Sequence, residues 1–277
     1  MADDEEVVFT TSTGPVRVIT AASLFDGHDA AINVMRRLIQ SSGAEVIHLG
    51  HDQSAKAVVD CAVQEDAHAV ALTSYQGGHV EYFTYIRQLL DEAGCEHVRI
   101  FGGGGGTITP PEIRTLHQSG ISKIYSPDDG RAMGLMGMIH HLMGLASEVD
   151  LVGKERMASL AGPVTPDDMA KVGLLLTLSE SADEKAFKAA VEACRSSDKD
   201  VPVIGFTGTG GAGKSSLLDE LMLRIQRDNP GKKVCLLCVD PTRKRTGGAL
   251  LGDRIRMNSL SNNDLYMRSL ASRGSGS

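Results

Sequence analysis

The run FDGHDAAIN, residues 25–33, places Asp26, Gly27 and His28 directly after an apolar stretch and directly before a helical pattern. A histidine at a helix start can cap the helix, sit in solvent or hold a metal. Asp26 favours the third use. A metal-bound imidazole commonly donates its other ring N–H to a carboxylate, which fixes the tautomer and makes the ligating nitrogen more basic. The motif holds no second histidine or cysteine to complete a zinc site. A lone imidazole ligand implies a metal whose other ligands come from a cofactor.

A second stretch carries phosphate chemistry. GTGGAGKSS sets Gly208 four residues ahead of Gly213-Lys214-Ser215, the P-loop spacing, between a strand-like and a helix-like run. In such a loop the backbone from Gly208 through Gly210, Gly211, Ala212 and Gly213 to Ser216 cradles phosphates at a helix N-terminus. Lys214 is the catalytic candidate, reaching the outer phosphates, and Ser215 the Mg²⁺ ligand. Asp240 and Asp253 follow in VDPTRKRTGGALLGDRIRM as candidates for holding Mg²⁺ or positioning water. The basic run Arg243, Lys244, Arg245 suits phosphate, a partner or plain solvation equally well.

These residues need elements to position them. From residue 15 to about 146 the chain alternates β-branched runs (PVRVIT, EVIHL, AHAVALT, HVRIF, SKIYS) with amphipathic helical stretches. Ala31, Val34, Met35 and Leu38 give the first helix its expected buried face. Five such units predict an α/β domain with a parallel sheet and right-handed crossovers, flavodoxin-like with strand order 2-1-3-4-5. Ligands bind such sheets beyond the carboxyl ends of the strands. On that rim fall ASLFDGHDAA, TSYQGGH, GGGGGTITPPE and SPDDG. The five consecutive glycines Gly102–Gly106 are costly, at roughly 0.5–1 kcal/mol each relative to alanine, and a plain turn needs one or two. Small residues there let backbone approach a bulky ligand.

Residues 1–14 read as an acidic, solvated tail, 15–146 as the first domain and 147–200 as a helical linker, with Thr165 as N-cap and Pro166 opening one of its helices. From 201 a P-loop α/β domain begins, with VPVIGFTG as a buried strand, and too few strands follow to complete it, so a truncated domain is expected. Cys235 and Cys238 lie in the strand-like KKVCLLCVD and read as core rather than as a metal or redox pair. Net charge is −7, which points away from nucleic acid and anionic membranes. No apolar run approaches the ~18 residues of a membrane span, and the start lacks a secretory signal. The five cysteines form no disulfide framework, and a cytoplasmic location is expected.

DGHDAA, TSYQGGH and GGGGG resemble the cobalamin-binding module of adenosylcobalamin-dependent mutases, whose fingerprint is Asp-x-His-x-x-Gly, a Ser-x-Leu segment and Gly-Gly. The resemblance implies that His28 replaces the cofactor's own dimethylbenzimidazole as lower cobalt ligand, with Asp26 as its partner and Gly27 and Asp29 flanking it. It implies that the displaced nucleotide tail enters a slot lined by Thr73, Ser74, Tyr75, Gly105 and Gly106 and closed by Tyr125, Ser126 and Pro127. Two positions depart from the fingerprint. Its closing Gly is Ala31, and its Ser-x-Leu reads Thr73-Ser74-Tyr75, which keeps a hydroxyl and puts an aromatic ring in place of Leu.

DPTRKRTGG is similar to a segment of the G-protein chaperones that service these mutases, implying GTP with Mg²⁺. The Asn-Lys pair of a guanine-reading motif does not occur in the chain, so it is expected beyond Ser277, or else guanine is not bound. Together the modules resemble the N-terminal portion of the fused isobutyryl-CoA mutase family. That resemblance implies a cytoplasmic, homodimeric parent enzyme that converts isobutyryl-CoA to butyryl-CoA by a radical rearrangement. Acyl-CoA would be bound only by a C-terminal barrel outside these residues, so the chain alone is expected to lack mutase activity. Two other readings stand beside it. A receiver-like signalling module would need an acid at the end of the third strand, where ALTSYQGG has none. A corrinoid carrier for methyl transfer shares the histidine loop but would carry no P-loop.

Overall fold

A computed structural model describes the chain except residues 1–6, 182, 196–200, 241, 243–246, 262–263 and 274–277 and the side chains of Asp29 and Ser261. The Arg243–Arg245 run and the Asp29 side chain therefore lie outside the described residues. After a short hairpin of β1 (Thr10–Thr11) and β2 (Gly14–Pro15), strands and helices alternate. They run β3 (Arg17–Ser23), α1 (Asp29–Ser41), β4 (Glu45–Gln53), α2 (Ala55–Gln64), β5 (Ala69–Thr73), α3 (His79–Glu92), β6 (Arg99–Gly103), α4 (Pro110–Gln118), β7 (Lys123–Tyr125) and α5 (Pro127–Ser147). The linker holds α6 (Lys154–Ala158), α7 (Met169–Glu180) and α8 (Glu184–Cys194). The nucleotide half has α9 (Lys214–Asp228), β8 (Val234–Asp240), β9 (Ala249–Leu251) and β10 (Leu265–Ala271). Among the described residues no helix is long and apolar enough to cross a membrane.

The main sheet is parallel, in the order β7-β6-β5-β3-β4-β9. Its first five strands have the flavodoxin-like order expected from the sequence. β3 sits near the centre and every one of its residues is buried, as a strand covered on both faces must be. Ile19, Ile47, Val70, Leu72 and Ile100 pack under α2, α3 and α4, and Val18, Val46 and Phe101 under α1 and α5. Helix starts are locally encoded. Thr109 with Glu112, and Ser126 with Asp129, form capping boxes, each with proline in the first turn.

The sixth strand was not expected. β9, from the nucleotide half, pairs Ala249–Leu251 with Glu45–Ile47. Gly248 permits the approach, since a Cβ there would overlap the Gln40 carbonyl. Below this edge lies a buried ionic cluster. Glu65 accepts from Ser269 N and Oγ, both at 2.9 Å, and faces Arg254 Nε at 3.4 Å. Arg268 and Arg273 reach Glu180 at 2.6 and 2.9 Å, Arg273 also holds Glu45 at 2.7 Å, and Arg156 holds Asp66 at 2.6 Å. The cluster joins the first domain, the linker and the nucleotide half at the amino ends of the strands.

Four expectations are corrected. VPVIGFTG is not a strand, and Val203 and Ile204 are 95% and 74% exposed. An isolated run cannot satisfy its backbone without a neighbouring strand, and among the described residues β8 pairs only with β10. Cys235 is exposed while Cys238 is buried, because one face of β8 is uncovered. α7 begins at Met169, and Thr165 instead closes a turn on Asp168 Oδ2 at 2.8 Å. The face α1 buries is Ile32 and Ile39 with Met35 beside them, and Val34 is half exposed.

Candidate functional site

β3 ends at Ser23, and a strained turn carries the chain to α1. Phe25 has φ of +64°, a left-handed conformation uncommon outside glycine. The turn is held by Asp26 N on Ser23 O at 3.0 Å and by Phe25 N on Asp52 Oδ1 at 2.7 Å. Asp26 is fully buried. Its Oδ1 accepts from His28 N at 2.9 Å and is 2.8 Å from His28 Nδ1, and its Oδ2 accepts from Tyr75 N at 2.6 Å. Burial pushes the carboxyl up, but the Tyr75 and His28 backbone N–H groups and the imidazole outweigh it and hold Asp26 below the usual carboxylate range. The charged carboxylate thus accepts a hydrogen bond from Nδ1–H, leaving Nε2 of a 63% exposed imidazole free to give its electron pair.

Beside this loop a cavity of about 250 Å³ opens between α1, α5 and the sheet. Ala31, Ile32 and Met35 form one wall, Thr73, Tyr75 and Gly102–Gly105 the strand ends, and Tyr125, Ser126 and Pro127 the far side. Of the positions expected to line it, Ser74 lies just beneath, bonded to Ser23 Oγ at 2.9 Å, and Gly106 turns out to the exposed side of the loop. A short 3-10 turn over Gly105–Thr107 lifts Gly106 away.

Three positions of the glycine run have a structural reason. A Cβ on Gly104 would overlap the Ser74 carbonyl, and one on Gly102 the Phe83 ring. Gly105 has φ of +58°. The Tyr125 hydroxyl lies 3.0 Å from His141 Nδ1, and burial pushes its phenol up. No sequence signal marked Asp52, or Ile39, Met138 and Leu142 of the cavity floor; their roles follow from tertiary placement. The slot is largely apolar, and the His28 imidazole stands beside it, its ring 5.5 Å from that of the lining residue Tyr75.

The second candidate site is at the start of α9. Gly211 and Gly213 have φ of +77° and +85°, giving the loop its curl. Lys214 Nζ folds back on Gly208 O and Thr209 O at 2.8 and 2.9 Å. Ser215 Oγ donates to Asp253 Oδ1 at 3.1 Å. Burial and the nearby Asp253 charge push Asp240 up. The structure therefore gathers Ser215, Asp240 and Asp253 at the loop, while Ala212 and Ser216 are exposed on it. Among the described residues no cluster of three or more His, Cys, Asp or Glu could hold a metal. A cation here would draw its remaining ligands from phosphate and water.

Comparison with known proteins places two families on the chain. Residues 16–127 match the B12 binding domain family, and residues 172–277 match the methylmalonyl-CoA mutase-associated GTPase MeaB family. The chain is 51% identical over 267 residues to a fused isobutyryl-CoA mutase of Geobacillus kaustophilus, covering 94% of this chain and 24% of that protein. It is 54% identical over 263 residues to one of Nocardia farcinica, with the same coverage of each. The chain is a relative of the fused isobutyryl-CoA mutases, carrying a B12 binding domain followed by a MeaB-type GTPase segment. It corresponds to the N-terminal portion and spans about a quarter of the length of these relatives. Its first domain is also 33% identical over 115 residues to the small subunit of a 2-hydroxyisobutanoyl-CoA mutase from Aquincola tertiaricarbonis, covering 41% of this chain and 82% of that subunit. The His28 loop and most of the slot's lining fall within the B12-binding match, with the floor residues Met138 and Leu142 beyond its end, and Lys214, Ser215, Asp240 and Asp253 fall within the GTPase match.

Proposed function

We propose that the chain binds adenosylcobalamin with His28 as lower cobalt ligand, and Mg²⁺–GTP through its P-loop, as the cofactor-loading portion of an acyl-CoA mutase. The observation that carries this reading is the Asp26–His28 pair, 2.8 Å apart, joined through Tyr75 to an apolar slot walled by glycine. Asp26 keeps the imidazole proton on Nδ1, so Nε2 faces outward with its electron pair. Gly27 and Asp29 flank the ligand, and Thr73, Tyr75, Gly105, Tyr125, Ser126 and Pro127 surround the cofactor's displaced tail. When bound, the cofactor supplies the cobalt–carbon bond whose homolysis starts the 1,2 rearrangement of isobutyryl-CoA to butyryl-CoA. The protein's part is to bind, orient and shield it.

In the nucleotide half, Lys214 turns from the loop carbonyls to the outer phosphates, and Ser215, Asp240 and Asp253 serve Mg²⁺. Residues 15–146, 147–200 and 201–277 divide these tasks as cofactor domain, linker and nucleotide domain. Acyl-CoA would meet the chain only through a separate barrel of the homodimeric, cytoplasmic parent, so the chain alone has no mutase activity. The test is titration with adenosylcobalamin. The visible spectrum should report a base-off, histidine-on form, and His28→Ala should abolish it. Retention of dimethylbenzimidazole on cobalt in the unmodified chain would refute the assignment.

A further inference from the structure

We propose that Tyr75 is a positioning residue for His28, fixing the plane in which the imidazole meets a metal; this rests on the cobalamin reading. Asp26 holds the imidazole through one hydrogen bond at Nδ1, and one bond leaves a ring on an exposed turn free to swing about that point. Tyr75 supplies the second constraint. Its ring centroid lies 5.5 Å from that of His28, with the planes tilted by 49°, within the range of favourable aromatic pairs.

Tyr75 is itself held on two sides. Its N–H donates to Asp26 Oδ2 at 2.6 Å, and its ring rests on the glycine turn, where a Cβ on Gly105 would stand 3.3 Å from Cε1. One residue therefore grips both members of the pair, the carboxylate with its backbone and the imidazole with its ring. The two grips separate experimentally, because a side-chain substitution leaves the backbone bond to Asp26 in place. An imidazole that gives its electron pair to a metal becomes more positive, and the electron-rich ring beside it favours that state. The aromatic residue at the fingerprint's Leu position thus tightens the ligand's orientation beyond what the slot wall requires.

The test compares Tyr75→Phe and Tyr75→Leu with the unmodified chain in adenosylcobalamin titrations, reading both the affinity and the histidine-on fraction from the visible spectrum. Tyr75→Phe keeps the ring and should keep the histidine-on fraction. Tyr75→Leu should lower the histidine-on to histidine-off ratio roughly 2- to 10-fold, the span of an aromatic pair contribution. An unchanged ratio in Tyr75→Leu, an equal fall in both variants, or a loss of affinity at constant ratio would overturn the proposal. A second measurement needs no cofactor: proton NMR of His28 should show a ring-current shift in the unmodified chain and in Tyr75→Phe that vanishes in Tyr75→Leu. If the unmodified chain leaves cobalamin unbound, the cobalamin reading fails, and the NMR shift still decides whether Tyr75 orients His28.

Discussion

Asp26→Asn tests the chemistry of the histidine loop with almost no change in shape. Asp26 is fully buried, and both of its oxygens are engaged, Oδ1 by His28 N and Nδ1 and Oδ2 by Tyr75 N. An amide has one oxygen and one NH₂, so only two arrangements exist. With oxygen toward His28, the NH₂ meets the Tyr75 N–H, donor against donor, and a buried N–H goes unsatisfied at a cost of about 1–3 kcal/mol. With NH₂ toward His28, Nδ1 must accept, which moves the imidazole proton to Nε2 and removes the electron pair that cobalt needs. Either outcome weakens ligation. Loss of such a partner typically costs 10–100-fold in metal affinity, so a fall of about 1.4–2.7 kcal/mol is expected. Titration with adenosylcobalamin at about pH 7.5 measures it, with urea unfolding alongside to register the structural share. An Asp26→Asn protein that binds as tightly, with an unchanged histidine-on spectrum, would refute the reasoning.

The slot and the buried histidines each give a further outcome. Gly104→Ala forces a Cβ into the Ser74 carbonyl, backbone against backbone, and should destabilise by about 1–3 kcal/mol and weaken cobalamin binding. Gly106→Ala, with open space around its Cβ, should change neither urea midpoint nor affinity appreciably, and equal effects at the two positions would contradict the slot geometry. Acid should destabilise the fold well before carboxylates protonate. His68 Nδ1 accepts from Arg17 N at 2.9 Å, so the ring must be neutral, and burial with the Arg17 charge brings it down to about 3. Burial first, and nearby arginines after it, bring His48 and His97 down to about 4. Below about pH 6.5 the unfolded chain gains protons that the folded one refuses, so stability falls as pH drops. At about pH 4.5 the loss is on the order of 2–3 kcal/mol per histidine; a urea midpoint unchanged between about pH 7.5 and that value would exclude it.

What the sequence revealed follows how local each feature is. The order of the first five strands and the rim carrying His28 were legible, because alternation of β-branched runs with helical stretches is read within a few residues. The Asp26–His28 pair was legible for the same reason, being two residues apart. The glycine run was visible, but which glycine mattered was not. Gly104 is required by Ser74, thirty residues earlier and on another strand's end, and that pairing exists only once β5 and β6 lie side by side. VPVIGFTG misled because apolar, β-branched composition predicts a strand without saying what it pairs with. β9 was hidden for the converse reason, since three apolar residues between glycines carry no address.

The deepest omission was the ionic cluster. Nothing local in the sequence sets Arg254, Arg268 and Arg273 apart from surface arginines, because their partners Glu65, Glu180 and Glu45 lie some 90 to 230 residues away. Burying such charges is unfavourable unless every one is paired, so the cluster specifies one docking of the nucleotide half against the first domain. Asp253 faces the P-loop through Ser215, and Arg254, the next residue, is sealed against Gln64 and Glu65. Consecutive residues of one turn thus belong to the nucleotide site and to the amino-end support of the sheet whose opposite end carries His28. The order of strands alone could not have placed them there.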